Sequence, residues 1–239
     1  MTNLTDTHLR TTERDRLFFF VMALAIAVTV VAGFALQYAM GRSSLASPWW
    51  VHLHGVTMVG WLLIYVAQNW LVWRGQTHNH RKFGYVASFY LGWVLVVGLA
   101  TTPTTIAFHR DPPFFGSAVF LMMDGLNIVT FVAIAGIGIA MRRESDWHRR
   151  LMLCSAFLVM MPGLGRLSPL PLLGSWILWA IFTTALPFWI AAATYDLITR
   201  RRIHPAYLWG FCAFVTMTAL IRPLASTALV TNIIKHLTS

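Results

Sequence analysis

The residues of this sequence with the greatest chemical potential are a few ionisable side chains placed in or beside long apolar runs. His52 and His54 open one apolar run, Asp124 interrupts another, and Arg166 and Arg222 lie near the ends of two more. An ionisable group surrounded by apolar chain is costly, so it usually faces a protein interior or a water-filled cavity and takes part in function. These residues are therefore the first candidates for a site.

The composition identifies the solvent around these runs. Of 239 residues, 57% are hydrophobic and only 11% are charged, whereas roughly 25% charged residues are usual in soluble domains. The mean hydropathy is +0.64. Helices that cross a bilayer need about 20 predominantly apolar residues, and the long runs here supply them. The sequence therefore predicts an all-α, polytopic integral membrane protein whose first partner is the lipid bilayer.

Apolar windows between polar or Gly/Pro-containing breaks predict seven spans in one membrane domain, residues 17–230. The domain follows an N-terminal segment, 1–16, and precedes an external C-terminal tail, 231–239. The fifth span is expected to bend or end near Pro162, and Pro169–Pro171 forms the next break. The predicted spans are 17–40, 51–73, 83–103, 116–141, 150–168, 173–199 and 207–230.

Basic residues predict the orientation of these spans. Arginine and lysine cluster before span one and after spans two, four and six, and they are sparse in the other breaks. By the positive-inside rule the N-terminus is cytoplasmic and the C-terminus lies outside. The net charge of +10 is thus read as a topology signal, because the basic residues form short clusters and no continuous surface. No nucleic-acid partner is expected.

Two stretches that follow spans two and four are alike. "HNHRKFGYVASFY" begins at His78 and "SDWHRRLMLCSAF" at Ser145, and each places His-Arg and a second basic residue before an apolar run. His54 precedes His80 by 26 residues and Asp124 precedes His148 by 24. A helical hairpin repeated in the same orientation explains this spacing. Spans two to five, about residues 50–170, would then form a four-helix core.

The same stretches carry a resemblance. "LHGVTMVGWLLIYVAQ", "HRKFGYVASFY" and "DWHRRLMLCSAFLVMMPGLGRL" resemble an uncharacterised family of bacterial polytopic membrane proteins with a histidine-bearing four-helix region. The shared motifs are short, HR-x-x-G and HRR-x-M-like, and they cover about residues 50–170. The resemblance implies a multi-pass protein of the bacterial inner membrane but no established reaction. Asp124 stands where a second histidine would make the two repeats match.

Six residues are predicted to meet at the outer side of the bundle. Asn127 lies one turn from Asp124 on the same helix face, and an arginine would compensate the Asp124 charge. The group either braces the helices as a structural ion pair or forms a pocket for a carboxylate, phosphate or quinone-like oxygen. The predicted outer group comprises His52, His54, Asp124, Asn127, Arg166 and Arg222.

Histidines also predict a cofactor site. Haem in a membrane bundle needs two imidazoles from different helices at equal depth. His80 and His148 meet the depth condition near the basic ends of spans three and five, and one b-type haem between them is one hypothesis. The alternative is that these residues and their basic neighbours only anchor helix ends in the headgroups. No zinc site is predicted, since the sequence has no HExxH motif and "HLH" does not place its histidines four apart.

Three functions remain open. One is a non-enzymatic accessory or small-molecule-binding subunit of a membrane complex. A second is a b-type haem protein that transfers electrons to or from a quinone or a partner subunit. A third is a transporter of a small anionic or amphipathic solute. The sequence contains no recognisable catalytic motif, so no catalytic residue is assigned, and any activity would be redox chemistry.

Overall fold

The computed structural model describes residues 2–168, 172 and 174–239, with side chains described from residue 13 onward except at residue 175. All regular elements in these residues are helical, and the described part contains no strand. The predicted break at 169–171 lies outside the described residues. The α-helices are α1 (Thr2–Ala39), α2 (Trp49–Trp73), α3 (Thr77–Ala107), α4 (Ser117–Ala140), α5 (Ser145–Leu167), α6 (Ile177–Arg200), α7 (Pro205–Ala225) and α8 (Ala228–Thr238).

Seven of these helices are long and apolar enough to cross a membrane, namely α2 to α7 and the segment Glu13–Ala39 of α1. Large apolar side chains lie on the outside of the bundle, including Val28 at 66% and Phe89 at 84% exposure. In water such a surface would be strongly unfavourable, whereas in lipid it is expected. The prediction of a multi-pass helical bundle in contact with a bilayer is confirmed.

The observed helix boundaries differ from the predicted spans where polar residues continue a helix. α3 begins at Thr77, six residues before the predicted start, because the polar stretch before Phe83 is already helical. α5 continues through Pro162 to Leu167 and does not end at the proline. We call the end of the bundle with the arginine-rich loops after α2, α4 and α6 the basic end, and the opposite end the far end.

The C-terminal tail is folded, and the sequence analysis did not predict this. α7 ends at Ala225, shortly after Pro223, and α8 follows as a separate amphipathic helix. Thr227 caps α8 by accepting a hydrogen bond from the Val230 N–H at 3.4 Å. Val230 is buried and clusters with Ile106 of α3 and Leu121 of α4. α8 therefore seals the far ends of α3 and α4.

The first five helices form a closed ring. Each packs against the next in the chain, and α1 also packs against α5 and so closes the ring. α5 is the most buried of the seven spans, since α6 and α7 pack against it from outside the ring. α2 and α4 are not neighbours in this ring, nor are α3 and α5. Polar side chains of these pairs can therefore meet only in the interior.

Several close helix contacts depend on glycines. At the crossing of α1 and α5, a Cβ on Gly163 would lie 2.7 Å from Val30 Cα, and one on Gly33 would collide with the Gly163 carbonyl. A Cβ on Gly98 or Gly138 would lie 2.6 Å from Ile128 or 3.2 Å from Leu151. A Cβ on Gly92 or Gly136 would have no neighbouring atom within 4 Å.

Candidate functional site

Four of the predicted outer residues come from three helices of the ring and lie in its far half. We call His54, Asp124, Asn127 and Arg166 the far-half cluster. His54 is the sixth residue of α2, Asp124 the eighth of α4, and Arg166 is next to last in α5. All four side chains are partly buried. Four of the six predicted outer residues therefore lie in the same half of the ring.

Asp124 is held by α3. The Thr102 hydroxyl donates a hydrogen bond to Asp124 Oδ2 at 3.0 Å, and Thr102 is itself buried. The positive charge of Arg166 acts on Asp124 and on His54. No described ion pair joins Asp124 to Arg166, whose guanidinium stacks on Phe34 of α1 at 4.0 Å and donates to the Pro162 carbonyl at 2.9 Å. The predicted structural staple between these two residues is thus not formed as a direct contact.

Asn127 is placed by the proline of α5. A proline within a helix has no N–H, so the carbonyl four residues earlier loses its helical partner. Here that carbonyl belongs to Leu158, and Asn127 Nδ2 donates to it at 3.3 Å. The opposite atom of the same amide, Asn127 Oδ1, is buried and has no hydrogen-bond partner among the described residues. Asn127 therefore presents a fixed, unused acceptor.

His54 presents a second unused atom. Its Nδ1 is buried and makes no hydrogen bond to any described residue. An unpaired buried polar atom costs about 1–3 kcal/mol in proteins, and such atoms are few in native structures. His54 on α2 and Asn127 on α4 belong to helices that are not neighbours in the ring. Each of the two atoms thus keeps an open hydrogen-bonding position.

The other two predicted outer residues lie elsewhere. His52 is exposed, and its Nε2 is 3.1 Å from the Leu45 carbonyl in the loop before α2. Arg222 lines an open cleft of about 500 Å³ between the end of α7 and the first turn of α4, together with Ala118 and Val119. Depth alone predicted six residues at one site. The ring arrangement brings four of them together.

At the basic end, His80 and His148 meet across the ring. Each is the fourth residue of its helix, α3 or α5, as the proposed hairpin repeat requires. Their ring centroids are 6.1 Å apart at an interplanar angle of 71°. His148 Nδ1 lies 2.7 Å from the Gly138 carbonyl, so it carries the proton and leaves Nε2 with a free electron pair.

The separation of the two imidazoles fits one shared metal ion, but the tautomer of His80 does not. Two imidazoles on one iron have centroids about 6 Å apart, because each metal–nitrogen bond is about 2 Å. The Gln68 amide is best satisfied when its nitrogen donates to His80 Nδ1 at 2.6 Å and its oxygen accepts from the Gly84 N–H at 3.0 Å. His80 Nε2 then carries a proton and cannot bind a metal. Haem ligation would require this amide to turn over.

The basic end also contains an ionic network that the sequence analysis did not predict. Asp15 of α1 accepts from Arg149 at 2.8 Å, from Arg200 at 2.5 Å and from the Tyr195 hydroxyl at 2.8 Å. Arg150 and Asp196 are fully buried and form two hydrogen bonds, at 2.8 and 2.5 Å. The network consists of Asp15, Asp146, Arg149, Arg150, Asp196 and Arg200.

This network corrects one interpretation. Arg149 and Arg150 were grouped with headgroup anchors, yet Arg150 has no exposed surface and Arg149 is paired with Asp15. Arg200 forms an i,i+4 ion pair with Asp196 at 3.8 Å, and Arg150 lies nearer to the same carboxylate, at 2.5 Å. The ionic network contains three carboxylates and three guanidiniums, so it joins α1, α5 and α6 without a net charge. The sequence signal for it was an aspartate before span one and another late in span six.

Comparisons with known proteins add no assignment. No protein-family model, no curated protein and no solved structure matches this chain. The fold and the two polar sites define a seven-span helical membrane protein with a polar cluster in one half of a helical ring and a histidine pair in the other. Function must be argued from these sites.

Proposed function

We propose that this protein binds a small, neutral, amphipathic molecule in the far-half cluster and has no catalytic role. The observation that carries the proposal is the pair of unused polar atoms, His54 Nδ1 and Asn127 Oδ1, inside the ring. Buried polar groups in native proteins are nearly always paired with protein, water or ligand. A molecule with one hydrogen-bond donor and one acceptor would satisfy both atoms.

The charges of the cluster support a neutral ligand. Arg166 and Asp124 carry opposite formal charges and act on each other, so the site has no excess cation to attract a free anion. An excess charge would be needed to hold a carboxylate or phosphate at membrane depth. Hydroxyl and carbonyl groups need only the donors and acceptors that the cluster supplies.

The proposed location is the bacterial inner membrane with the basic end in the cytoplasm. The positive-inside rule supports this orientation, because the loops after α2, α4 and α6 and the helix ends beside them hold ten of the 18 basic residues. The far-half cluster then lies in the periplasmic half of the bilayer. In this role the protein would act as a receptor or as the accessory subunit of a membrane complex. Its ligand would reach the site through the lipid.

Asn127→Leu tests the proposal. Protein purified in mild detergent is analysed by native mass spectrometry for small molecules that co-purify and are released on unfolding. The wild type should retain a neutral molecule, and Asn127→Leu should lose it because the acceptor is gone. Asn69→Leu is the matched control, since Asn69 also donates to a neighbouring carbonyl, that of Tyr65, but near the basic end. An identical set of bound molecules in all three proteins would rule out the site.

A second candidate function concerns the histidine pair. The 6.1 Å separation of His80 and His148 favours a b-type haem between α3 and α5, and haem binding stays a prediction. A visible spectrum decides it. A Soret band that disappears in His148→Ala and strengthens in Gln68→Ala, which frees His80 Nδ1 from the amide, would support haem. Colourless, folded protein from haem-replete cells would eliminate it.

A further inference from the structure

We propose that the ligand is a prenylated quinol, whose ring occupies the far-half cluster and whose tail lies in an apolar groove between α1 and α2. This inference rests on the proposed function and specifies its ligand class. The groove has a volume of about 410 Å³, and its lining includes Ala27, Val31 and Phe34 of α1 and Val59, Leu63 and Val66 of α2. Its size lies within the range of small-ligand sites, about 300–1,000 Å³.

The groove and the cluster meet at one residue. Phe34 lines the groove, and its ring carries the Arg166 guanidinium at 4.0 Å. Gln37, one turn further along α1, donates to the Arg166 carbonyl at 2.7 Å and so fixes this end of α5 against α1. A molecule in the groove with its head toward the far end therefore reaches Arg166, whose charge also acts on His54 and Asp124.

The positions of the two unused atoms indicate which kind of ligand head group could bond to both. His54 and Asn127 approach from α2 and α4, which are not neighbours in the ring. A single head group that bonds to both atoms has to carry polar atoms on two sides. A 1,4-quinol has a hydroxyl at each end of a flat ring, so one oxygen can meet His54 Nδ1 and the other can donate to Asn127 Oδ1. A fatty alcohol carries its polar atom at one end only.

The charge balance disfavours anionic phospholipids as the specific occupant. Their heads carry a net negative charge, and the formal charges of Arg166 and Asp124 cancel at the site. A neutral phenolic head has no such charge to compensate. The tail gains little from the hydrophobic effect, because lipid is as apolar as the groove, and its affinity must come from packing against the groove walls.

The test uses full-length protein in quinone-free phosphatidylcholine nanodiscs and two probes. One probe is a benzoquinol with two isoprene units and the other is the same quinol without a tail. Affinities are measured by saturation binding and expressed per mole fraction of probe in the bilayer, so that partitioning cancels. The wild type should bind the prenylated probe about tenfold more tightly than the tail-less one, through packing alone.

Two tryptophan variants on α1 form a matched pair. Val31 lines the groove and Val28 does not, yet both are exposed to lipid, at 62% and 66%. Val31→Trp fills the groove, so it should remove the preference for the prenylated probe and leave the tail-less probe unaffected. Val28→Trp should leave both affinities as in the wild type.

The outcomes separate the two levels of the proposal. If both probes bind the wild type equally, or if Val31→Trp and Val28→Trp behave alike, the tail does not lie in the groove. The proposed function still stands in that case, provided that tail-less binding is lost in Asn127→Leu and in His54→Leu. If neither probe binds the wild type saturably, the quinol assignment fails. Native mass spectrometry then tests the proposed function separately. A small molecule that the wild type retains and Asn127→Leu loses would support it, and identical bound molecules in both proteins would contradict it.

Discussion

His54 Nδ1 is a buried polar atom with no partner among the described residues, and its cost to folding can be measured. His54→Leu removes that atom and keeps an apolar side chain. We expect the free energy of unfolding of His54→Leu to exceed that of the ligand-free wild type by about 1 kcal/mol, because the variant no longer buries an unpaired polar atom. Thermal unfolding in detergent measures this.

His52→Leu is the control for this substitution. His52 is exposed and its ring lies 3.1 Å from the Leu45 carbonyl, so the same change should not stabilise the protein. At the same time His54→Leu should lose the bound small molecule. A binding site often trades stability for function in this way. A loss of stability in His54→Leu would show that the imidazole serves the fold.

Single residues could be predicted from the sequence when their role depends on depth. His80 and His148 were chosen for equal depth, and the structure places their rings 6.1 Å apart. Asp15 could not be predicted in this way. Its partners Arg149 and Arg200 lie far away in sequence, and nothing local distinguishes it from a solvated aspartate in a basic N-terminal segment.

At the scale of helices, the crossing of α1 and α5 depends on Gly163. A Cβ at this position would lie 2.7 Å from the backbone Cα of Val30, and backbone cannot move aside as a side chain does. Gly163→Val should therefore destabilise the protein by about 1–3 kcal/mol through overpacking. Thermal unfolding in detergent measures the effect.

Gly136→Val is the matched control for the crossing. Gly136 lies within α4, and a Cβ at this position would have no neighbouring atom within 4 Å. The same substitution should change stability only through helix propensity. Equal effects at both positions would mean that α1 and α5 are free to separate.

The start of α7 makes stability depend on pH. His204 Nδ1 accepts a hydrogen bond from the Ala206 N–H at 3.2 Å, which requires an unprotonated nitrogen. Burial, followed by the charge of Arg150, lowers the pKa of His204 below its ordinary value, while Asp146 and Asp196 oppose this and Arg200 adds to it. On acidification the unfolded chain therefore takes up a proton before the folded protein does.

The sign of this dependence is fixed. The contribution of His204 is complete above about pH 6.5, the ordinary value for histidine, and is lost as the pH falls below it. Unfolding temperatures measured between pH 5 and pH 8 test this, at about half-unit intervals. His204→Asn keeps a capping side chain that does not titrate, so its profile should be flatter. A wild-type profile parallel to that of His204→Asn would contradict the assigned cap.

Most helices could be predicted because lipid imposes a simple rule of length and hydropathy. The predicted spans 51–73 and 116–141 nearly match α2 and α4. Errors occurred where that rule does not apply. α7 already ends at Ala225, and the short amphipathic helix α8 begins at Ala228, inside the predicted seventh span, 207–230. Pro162 did not end α5, because Asn127 of another helix satisfies the carbonyl that the proline leaves unpaired.

At the scale of the whole molecule, the ionic network holds the basic end together. Asp196 and Arg150 are fully buried, so Asp196→Ala leaves a buried guanidinium without its main partner and should cost about 3–5 kcal/mol. Replacing both partners, as Arg150→Met with Asp196→Leu, should cost less than the single change, since no bare charge remains. Chemical unfolding of the three proteins provides the comparison.

The complete arrangement was beyond sequence reasoning because it depends on which helices are neighbours in the plane of the membrane. Four predicted residues meet in the far-half cluster, whereas His52 lies at a loop and Arg222 lines another cleft. Depth follows from position in a span. Neighbourhood follows from packing, such as the closing contact of α1 with α5 at Gly33 and Gly163.

The most direct measurement is an experimental density map of the protein purified from its native membrane without added lipid. The account predicts density for a bound molecule between α2 and α4, within hydrogen-bonding distance of His54 Nδ1 and Asn127 Oδ1. A well-resolved map in which both atoms bond to protein groups and nothing lies between them would contradict it.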